Sequence, residues 1–286
     1  MRIALASCSE LPVPALDDAL VAAALGDLGA DVVTHPWDDP TVDWAGVDRC
    51  IIRSTWDYTA RPREFIAWAV GVAACTELWN PAPIVAWNAH KGYLLDLAAR
   101  GVPVVPTRLL EQGTSVALGD LTATGEIVVK PAISVGAIDT HRVGPDAGPA
   151  FAQADLDRLL GAGDVLVQPF QASIATGGET AIVVLDGEVT HTWVKRPAPG
   201  DFRIHEQYGG TVTPVAPTPA QLAVADAALG AVAPITGAGP VRYARVDLVE
   251  VDGAPHLMEL ELIEPDLHLR TAPAALDRFA RLLVRP

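Results

Sequence analysis

The sequence predicts an α/β unit at the N-terminus followed by a longer α+β portion built on antiparallel strands. Three observations carry this reading. The chain opens as strand, helix, strand: a short apolar run at 2–7, apolar residues at helical spacing from Leu16 to Leu28, and a second strand at 31–34. Beyond residue 125, strand-like runs outnumber helices. Two Asp-Gly pairs set between such runs, Asp186-Gly187 and Asp252-Gly253, are hairpin signals and make their flanking strands antiparallel. With 286 residues, half of them hydrophobic, the length suits about two domains with real cores.

Taken in order, Leu16, Leu20, Val21, Ala24, Leu25 and Leu28 line one helical face, and Gly29 is a good C-cap. The apolar run at 50–52 ends in Arg53-Ser54-Thr55-Trp56-Asp57-Tyr58, and Pro62 then opens a helix to about residue 75. That places a polar segment at the C-terminal end of a strand, where open parallel sheets bind ligands. The first loop has no GxGxxG, so a dinucleotide site of the usual kind is not supported. A helix from Lys91 leads to Gly101, and the Gly/Thr-rich stretch 113–125 reads as a loop. Strands are expected at 126–130, 139–143, 165–168, 179–185, 188–195, 243–251 and 256–263. Helices are expected at 149–161, 219–233 and 272–284.

Composition excludes several function classes. Twenty basic residues against 35 acidic give a net charge of -15, unsuited to a surface that binds nucleic acid or anionic lipid. No stretch reaches the roughly 18 consecutive apolar residues of a membrane span. The first twelve residues hold too short an apolar run for a secretory signal, so a cytoplasmic location is expected. Cys8, Cys50 and Cys75 form no CxxC pair and read as buried free thiols rather than a disulfide or zinc framework. The seven histidines lack metal-ligand spacing, and none is given a catalytic role. Of the 20 basic residues 17 are Arg, and the only lysines are Lys91, Lys130 and Lys195, so each lysine position calls for an explanation.

The last hairpin is the most informative piece. Alternation along 256–263 puts Met258, Leu260 and Leu262 on one face, the core, and Glu259 and Glu261 on the other. Carboxylates on one strand face roughly 6–7 Å apart repel by about 2–3 kcal/mol at an effective dielectric of about 20. A third acid, Asp247, comes from the partner strand. A cation would remove the cost, and oxygen-only ligands point to Mg²⁺ completed by phosphates; the alternative is a solvated acidic face. Lys130 closes an apolar strand on the same face as Val128, where an ammonium wants an anion. Lys91, in the first turn of its expected helix, is disfavoured by the macrodipole unless an anion lies close. The alternative for both is a surface lysine. Arg245 could pair with the acids, and Arg53, Asp57 and Arg203 could meet a substrate or water alone.

Lysines from two places, then an Arg-x-Asp strand and a Glu-x-Glu strand, occur in an order that resembles the ATP-grasp superfamily, especially its glutathione-synthetase-like ligases. The resemblance runs through most of the chain. It implies an N-terminal α/β domain (1–85), a central lid domain (86–170) and a C-terminal antiparallel-sheet domain with the metal site (171–286). Asn80-Pro81 and Asn88-Ala89-His90-Lys91 match the segment entering the lid, with Lys91 and Lys130 as the phosphate lysines. Gln168, Pro169 and Phe170 match the stretch bordering adenine, and Glu179 the acid near the ribose. Asp247, Glu259 and Glu261 match the magnesium ligands, and Arg245 the arginine that steadies the transition state. The segment from Lys195 through Arg203 to Gly209 and Gly210 is similar to a substrate-covering loop, and Arg53, Ser54, Thr55 and Asp57 would close the other side.

Two departures stand out: the segment after Lys130-Pro131 holds a single glycine, Gly136, where relatives are often Gly-rich, and Glu261 replaces a frequent Asn. What the resemblance implies is ADP-forming carbon–nitrogen ligation with ATP and Mg²⁺ on a small-molecule carboxylate or amino acid, by a homo-oligomer, with no nucleic-acid or membrane partner. The combination of RSTWDY, KRPAPGDFR and MELELIEP is most similar to cyclo-ligases that close O-ureido-D-serine into cycloserine. An intermolecular amino-acid ligase is the alternative, and a nucleotide-binding regulator without turnover a third.

Overall fold

The computed structural model describes residues 1–11, 14–144, 151–204 and 208–285. Strands β1 (Arg2–Ser7), β2 (Asp31–Pro36), β3 (Arg49–Ile52) and β4 (Glu77–Trp79) form a parallel sheet in the order β2-β1-β3-β4. Central β1 and β3 are buried almost throughout, which is why their sequences run apolar rather than alternating. Helix α1 (Leu16–Asp27) stops where Gly29 takes a φ of 82°, and α2 (Pro62–Ala73) has Pro62 in its first turn, where a missing N–H costs nothing. Cys8 and Cys50 are buried as expected, but Cys75 is exposed, because α2 has already ended and its thiol lies beyond the packed face.

Helices α3 (Ala82–Asn88) and α4 (Tyr93–Ala99) follow, then a second, antiparallel sheet of β5 (Arg108–Leu110), β6 (Ile127–Pro131), β7 (His141–Val143) and β8 (Val165–Pro169) in the order β5-β8-β6-β7. The stretch expected to be loop contains a short helix, α5 (Leu118–Thr122), whose Leu121 is drawn into the sheet's core. Helix α6 (Gln153–Ala162) covers the same core; residues 149 and 150, expected to begin it, lie outside the described residues, as does His205. This sheet has a core of its own, with Ile127, Val129, Leu156, Leu159 and Val165 at its centre. Helix α4 instead shares a core with the C-terminal sheet, and α3 is divided, with Ile84 in that core and Ala82 and Val85 in the core of the parallel sheet.

That third sheet follows the short helix α7 (Ser173–Thr176). It contains β9 (Glu179–Leu185), β10 (Glu188–Arg196), β11 (Thr211–Pro214), β12 (Tyr243–Val251) and β13 (Ala254–Glu261), ordered β11-β10-β9-β12-β13 and antiparallel throughout. Both hairpins turn as read: Asp186 and Gly187 have φ of 51° and 79°, Asp252 and Gly253 of 50° and 79°. Two successive positive φ values match the right-handed twist of the flanking strands. One face packs on α8 (Pro219–Thr236), the other on α9 (Pro273–Leu283) and the parallel sheet, where Trp193, Tyr243 and Phe279 meet Ile3, Leu5 and Leu25. Helix α8, with mean hydropathy 1.2, is long and apolar enough to cross a membrane. Its Val224, Ala225, Ala228 and Val232 are buried on the sheet, and Gln221 and Asp226 interrupt its apolar run.

Two local departures bear on the site. Lys91 is not in a helix: it sits in the turn before the cap of α4, where its N–H donates to the Ala132 carbonyl at 2.7 Å and is unavailable to a helix. On β13 the register slips, with Glu259 opposite Asp247 but Leu257 opposite Leu248. Met258 is therefore the extra residue of a β-bulge. Strict alternation would bury it; instead Leu257 and Leu260 fill the core, and Met258 turns with Glu259 toward a cleft.

Candidate active site

The charged face is laid down by register. Lys195 on β10 lies opposite Glu179 on β9; Asp247 on β12 lies opposite Glu259 on β13, and Arg245 opposite Glu261. Period-2 alternation turns these side chains to one side of four neighbouring strands, while Val246, Leu248 and Leu260 fill the other. The free edge of β13 is secured by side chains and a short parallel bridge. Asn88 donates to the Leu260 carbonyl and accepts from the Leu262 N–H, both at 2.8 Å; the Tyr93 hydroxyl accepts from Leu260 N–H at 2.9 Å. Leu257 N–H donates to Pro103, and Val105 N–H to Leu257. The strand bearing two of the acids is thus fixed along its length.

Each acid has a cation. Lys195 Nζ lies 2.7 Å from Glu179 and 3.3 Å from Asp247; Arg245 holds Asp247 at 2.9 Å and also binds Glu261, and Lys91 Nζ lies 3.0 Å from Glu259. Burial opposes these charges, but Arg245 and Lys195 win at Asp247, and Lys91 and Lys130 at Glu259, holding both carboxyls below their usual range. Burial wins at Glu261: with Glu259 and Asp247 adding to it against Arg245, the carboxyl is pushed up to about 8. Lys130, 8% exposed, has no carboxylate within 4 Å among the described residues, and burial pushes its ammonium down. It is a buried cation facing a cleft with no counter-charge in contact.

The cleft lies between the second sheet and the C-terminal sheet and encloses about 1120 Å³, its open mouth included. Val128, Lys130, the 134–137 segment and residues 168–171 form one wall, and Glu179 with Met258 to Glu261 the other; Phe202, Arg203 and Ile204 close an end. Lys91 ties the walls together by donating to the Ser134 carbonyl at 2.5 Å. Phe170 has the Arg142 guanidinium 3.9 Å from its ring centre and meets Phe202 edge to face, their ring centres 6.3 Å apart. Gln168 lines the cleft with Pro169, although its amide donates to Thr107.

The structure does not bring every expected residue here. Arg53 and Ser54 line a second cavity of about 470 Å³, its open mouth included, at the C-terminal end of β3 and the start of α1, both bonded to Asp18, the arginine at 2.9 Å. Thr55 is fully buried, its hydroxyl without a hydrogen-bond partner among the described residues. Asp57 lines neither cavity: it accepts from Trp37 and Arg61, each at 2.8 Å, and so holds the Trp37 ring that packs on Phe65 and Trp68. Arg203 lines the cleft while paired to Asp201 and stacked on Tyr208 at 3.8 Å. Gly209 and Gly210 line neither cavity among the described residues. Sequence reasoning missed Phe202, Asn88 and Tyr93 as parts of the site, and Glu264 altogether. For Asn88 the signal was present, an Asn three residues before the first lysine; for Glu264, beyond the strand, periodicity offers none.

The donor set was tested for Mg²⁺ on its chemistry. Among the described residues no three His, Cys, Asp or Glu side chains converge into a ready cage. What β12 and β13 offer is carboxylate oxygen alone, with burial, and Glu259 and Asp247 after it, raising Glu261. That fits an ion that takes one or two carboxylates and completes its shell with phosphate and water.

Comparisons with known proteins give the family of the chain. Residues 3–80 match the family model described as the N-terminal domain of the D-cycloserine synthetase DcsG. The chain is 35% identical over 257 residues to the cycloserine biosynthesis protein DcsG of Streptomyces lavendulae, covering 86% of each. It superposes on the crystal structure of D-cycloserine synthetase DcsG with a TM-score of 0.86 at 34% identity, covering 99% of this chain and 98% of that one. At 16% identity, which speaks for the fold alone, it matches the ATP-grasp ligase PsnB, solved with a variant of its minimal precursor, Mg and ADP. The TM-score there is 0.63, with 99% of this chain and 97% of that one covered.

Proposed function

Because the chain belongs to the DcsG family of ATP-grasp ligases, ADP-forming enzymes, we propose that it activates the carboxylate of O-ureido-D-serine with ATP and closes the ring through the ureido N–H of the same molecule, the carbamoyl group on that nitrogen passing to water as carbon dioxide and ammonia to leave cycloserine. The observation that carries this is the cleft itself: all three lysines of a lysine-poor chain lie on it or beside it, against four acids from three adjacent strands.

Roles follow from position. Lys91 and Lys130 hold the transferring phosphates, and Lys130, without a carboxylate in contact, is the cation with most to gain from them. Asp247, Glu259 and Glu261 would hold Mg²⁺, which when bound supplies charge neutralisation at the phosphates. Phe170 and Phe202, with Pro169, give the apolar end suited to adenine. Phosphorylation of the carboxylate gives an acylphosphate, and Arg245 stabilises the oxyanion that forms when nitrogen adds to its carbonyl. The second cavity, with Arg53 and Arg270 beside Asp17 and Asp18, supplies both signs of charge that an amino acid's carboxylate and ammonium require. The sheet of β5 to β8, having its own core, is the unit suited to act as a lid, with α4 staying on the C-terminal body.

The test is ADP release with Mg·ATP across a panel of amino acids and small carboxylates, with mass spectrometry of products. ADP formed with O-ureido-D-serine alone, together with a ring-closed product, is expected. ADP only when two amino acids are present, with a joined product, would move the assignment to an intermolecular ligase. Silence across the panel despite ATP binding would overturn the ligase reading of this site.

A further inference from the structure

Glu264 stands where the two cavities meet. Among the described residues it alone lines both the nucleotide cleft and the second cavity. Its segment is clamped from both sides. Arg53 reaches the Pro265 carbonyl at 3.4 Å from the second cavity, and Arg245 donates to the Asp266 carbonyl at 3.0 Å from the cleft. The group that would hold the oxyanion is therefore bonded to the backbone two residues beyond Glu264.

The other acids around this junction are committed. Asp17 accepts from the Leu269 N–H and from Arg270; Asp18 from Arg53 and Ser54; Asp266 from Arg270. Glu259 is paired with Lys91, and Glu261 with Arg245. Glu264 has no cation within 4 Å among the described residues, so its carboxylate can take a proton without breaking an ion pair.

On the ligase reading above, we infer that Glu264 is the general base that accepts the proton of the attacking nitrogen. The step balances. The nitrogen lone pair forms the C–N bond at the acyl carbon, the N–H proton passes to the Glu264 carboxylate, and the C–O bond to phosphorus-bound oxygen breaks with its electron pair leaving on phosphate. A base is useful here if it is partly ionised at neutral pH. Burial pushes the Glu264 carboxyl up to about 7, with Glu259 adding to this and Lys91 and Arg245 opposing it. The hydroxyls of Tyr58 and Tyr243 feel its charge and stay protonated, since burial above all, and the Glu264 charge after it, raise them.

The experiment uses the full chain as wild type, Glu264→Gln and Glu264→Asp, with Mg·ATP and O-ureido-D-serine, with and without hydroxylamine. Hydroxylamine traps acylphosphate; it is a far stronger nucleophile than an amide-like ureido nitrogen and loses its proton to water after attack, so its capture needs no base from the protein. In Glu264→Gln, hydroxamate should form at near the wild-type rate while ring product falls about 10²- to 10³-fold. The wild-type ring-closing rate should rise with pH through an inflection near 7 that Glu264→Gln lacks, and Glu264→Asp should recover part of the rate. Ring closure at the wild-type rate in Glu264→Gln, or equal loss of hydroxamate and ring product, would overturn the assignment while leaving the ligase reading intact. A wild type silent toward the whole panel would overturn both.

Discussion

Replacing Lys195 with Met keeps the length of the side chain and removes its charge from between two buried carboxylates. Glu179 and Asp247 are 6% and 2% exposed and lie 2.7 and 3.3 Å from the ammonium. Asp247 keeps Arg245 at 2.9 Å, whereas Lys195 is the partner within 4 Å of Glu179 among the described residues. Removing one member of such a buried set costs about 3–5 kcal/mol, because the orphaned charge stays out of water. At about 2–4 °C per kcal/mol for a chain somewhat shorter than this one, the melting temperature should fall on the order of 10 °C. The loss should depend on pH. Burial already pushes Glu179 up against the pull of Lys195, so without Lys195 it rises further. A carboxyl raised in the folded state binds protons that the unfolded chain does not, so the variant loses stability as pH rises and recovers it as pH falls. Asp247 works the other way in the wild type: its depressed carboxyl adds stability above the unfolded aspartate value near 4, lost as pH falls through its folded value. The gap between the two proteins should be widest at pH 8 and narrower at pH 5.5. Urea denaturation at both values checks this; a gap below about 1 kcal/mol at pH 8, or one independent of pH, would refute the argument.

Three further outcomes are expected. Lys130→Met removes a buried cation that has no carboxylate in contact, so thermal stability should hold or rise while Mg·ATP affinity, read by calorimetry, falls about 10- to 100-fold; a large drop in stability would mean the lysine is paired within the fold. Asn88→Ala removes two hydrogen bonds from the edge of β13 and should cost about 2–4 kcal/mol in urea unfolding; a cost below about 0.5 kcal/mol would show that the edge is held by its other contacts. Arg53→Lys keeps the charge but loses the fork that grips Asp18 and reaches the Pro265 carbonyl. The KM for the amino-acid substrate should rise about tenfold with the KM for ATP unmoved, and an unchanged substrate KM would remove Arg53 from the substrate site.

Much of this site was legible because the relevant signals are local. Strands β9 and β12 begin and end where alternation and Asp-Gly turns place them. Three lysines among 20 basic residues made each one conspicuous, and all three meet site carboxylates or a cleft. The short elements were less legible. Strands β4 and β5 have three residues each, too few for periodicity; they exist because β3 and β8 offer them hydrogen bonds. Asp57 shows a different limit, since polarity at a strand's end identifies a polar residue but not whether it faces a ligand or, as here, Trp37 and Arg61.

The Met258 bulge has the same cause at larger scale, and it decides how the site is built. Alternation along one strand assigns faces only while the partner strand keeps step, and the slip lies in the pairing of β13 with β12. With one residue extra, Leu257 and Leu260 both reach the core, and Met258 and Glu259 both face the cleft. Glu259 remains opposite Asp247, and Glu261 opposite Arg245, because those pairs lie on the far side of the slip. The acids thus keep their cross-strand cations while the strand bends beside them, as bulged strands do. Around the cleft formal charge is balanced, with Glu179, Asp247, Glu259 and Glu261 against Lys91, Lys130, Lys195 and Arg245, in a chain of net charge -15. Composition predicts repulsion of an anionic ligand; the local exception comes from strand register, which sets Lys195 and Arg245 on the C-terminal sheet, together with the turn before α4 and the facing sheet, which bring Lys91 and Lys130 to the same cleft.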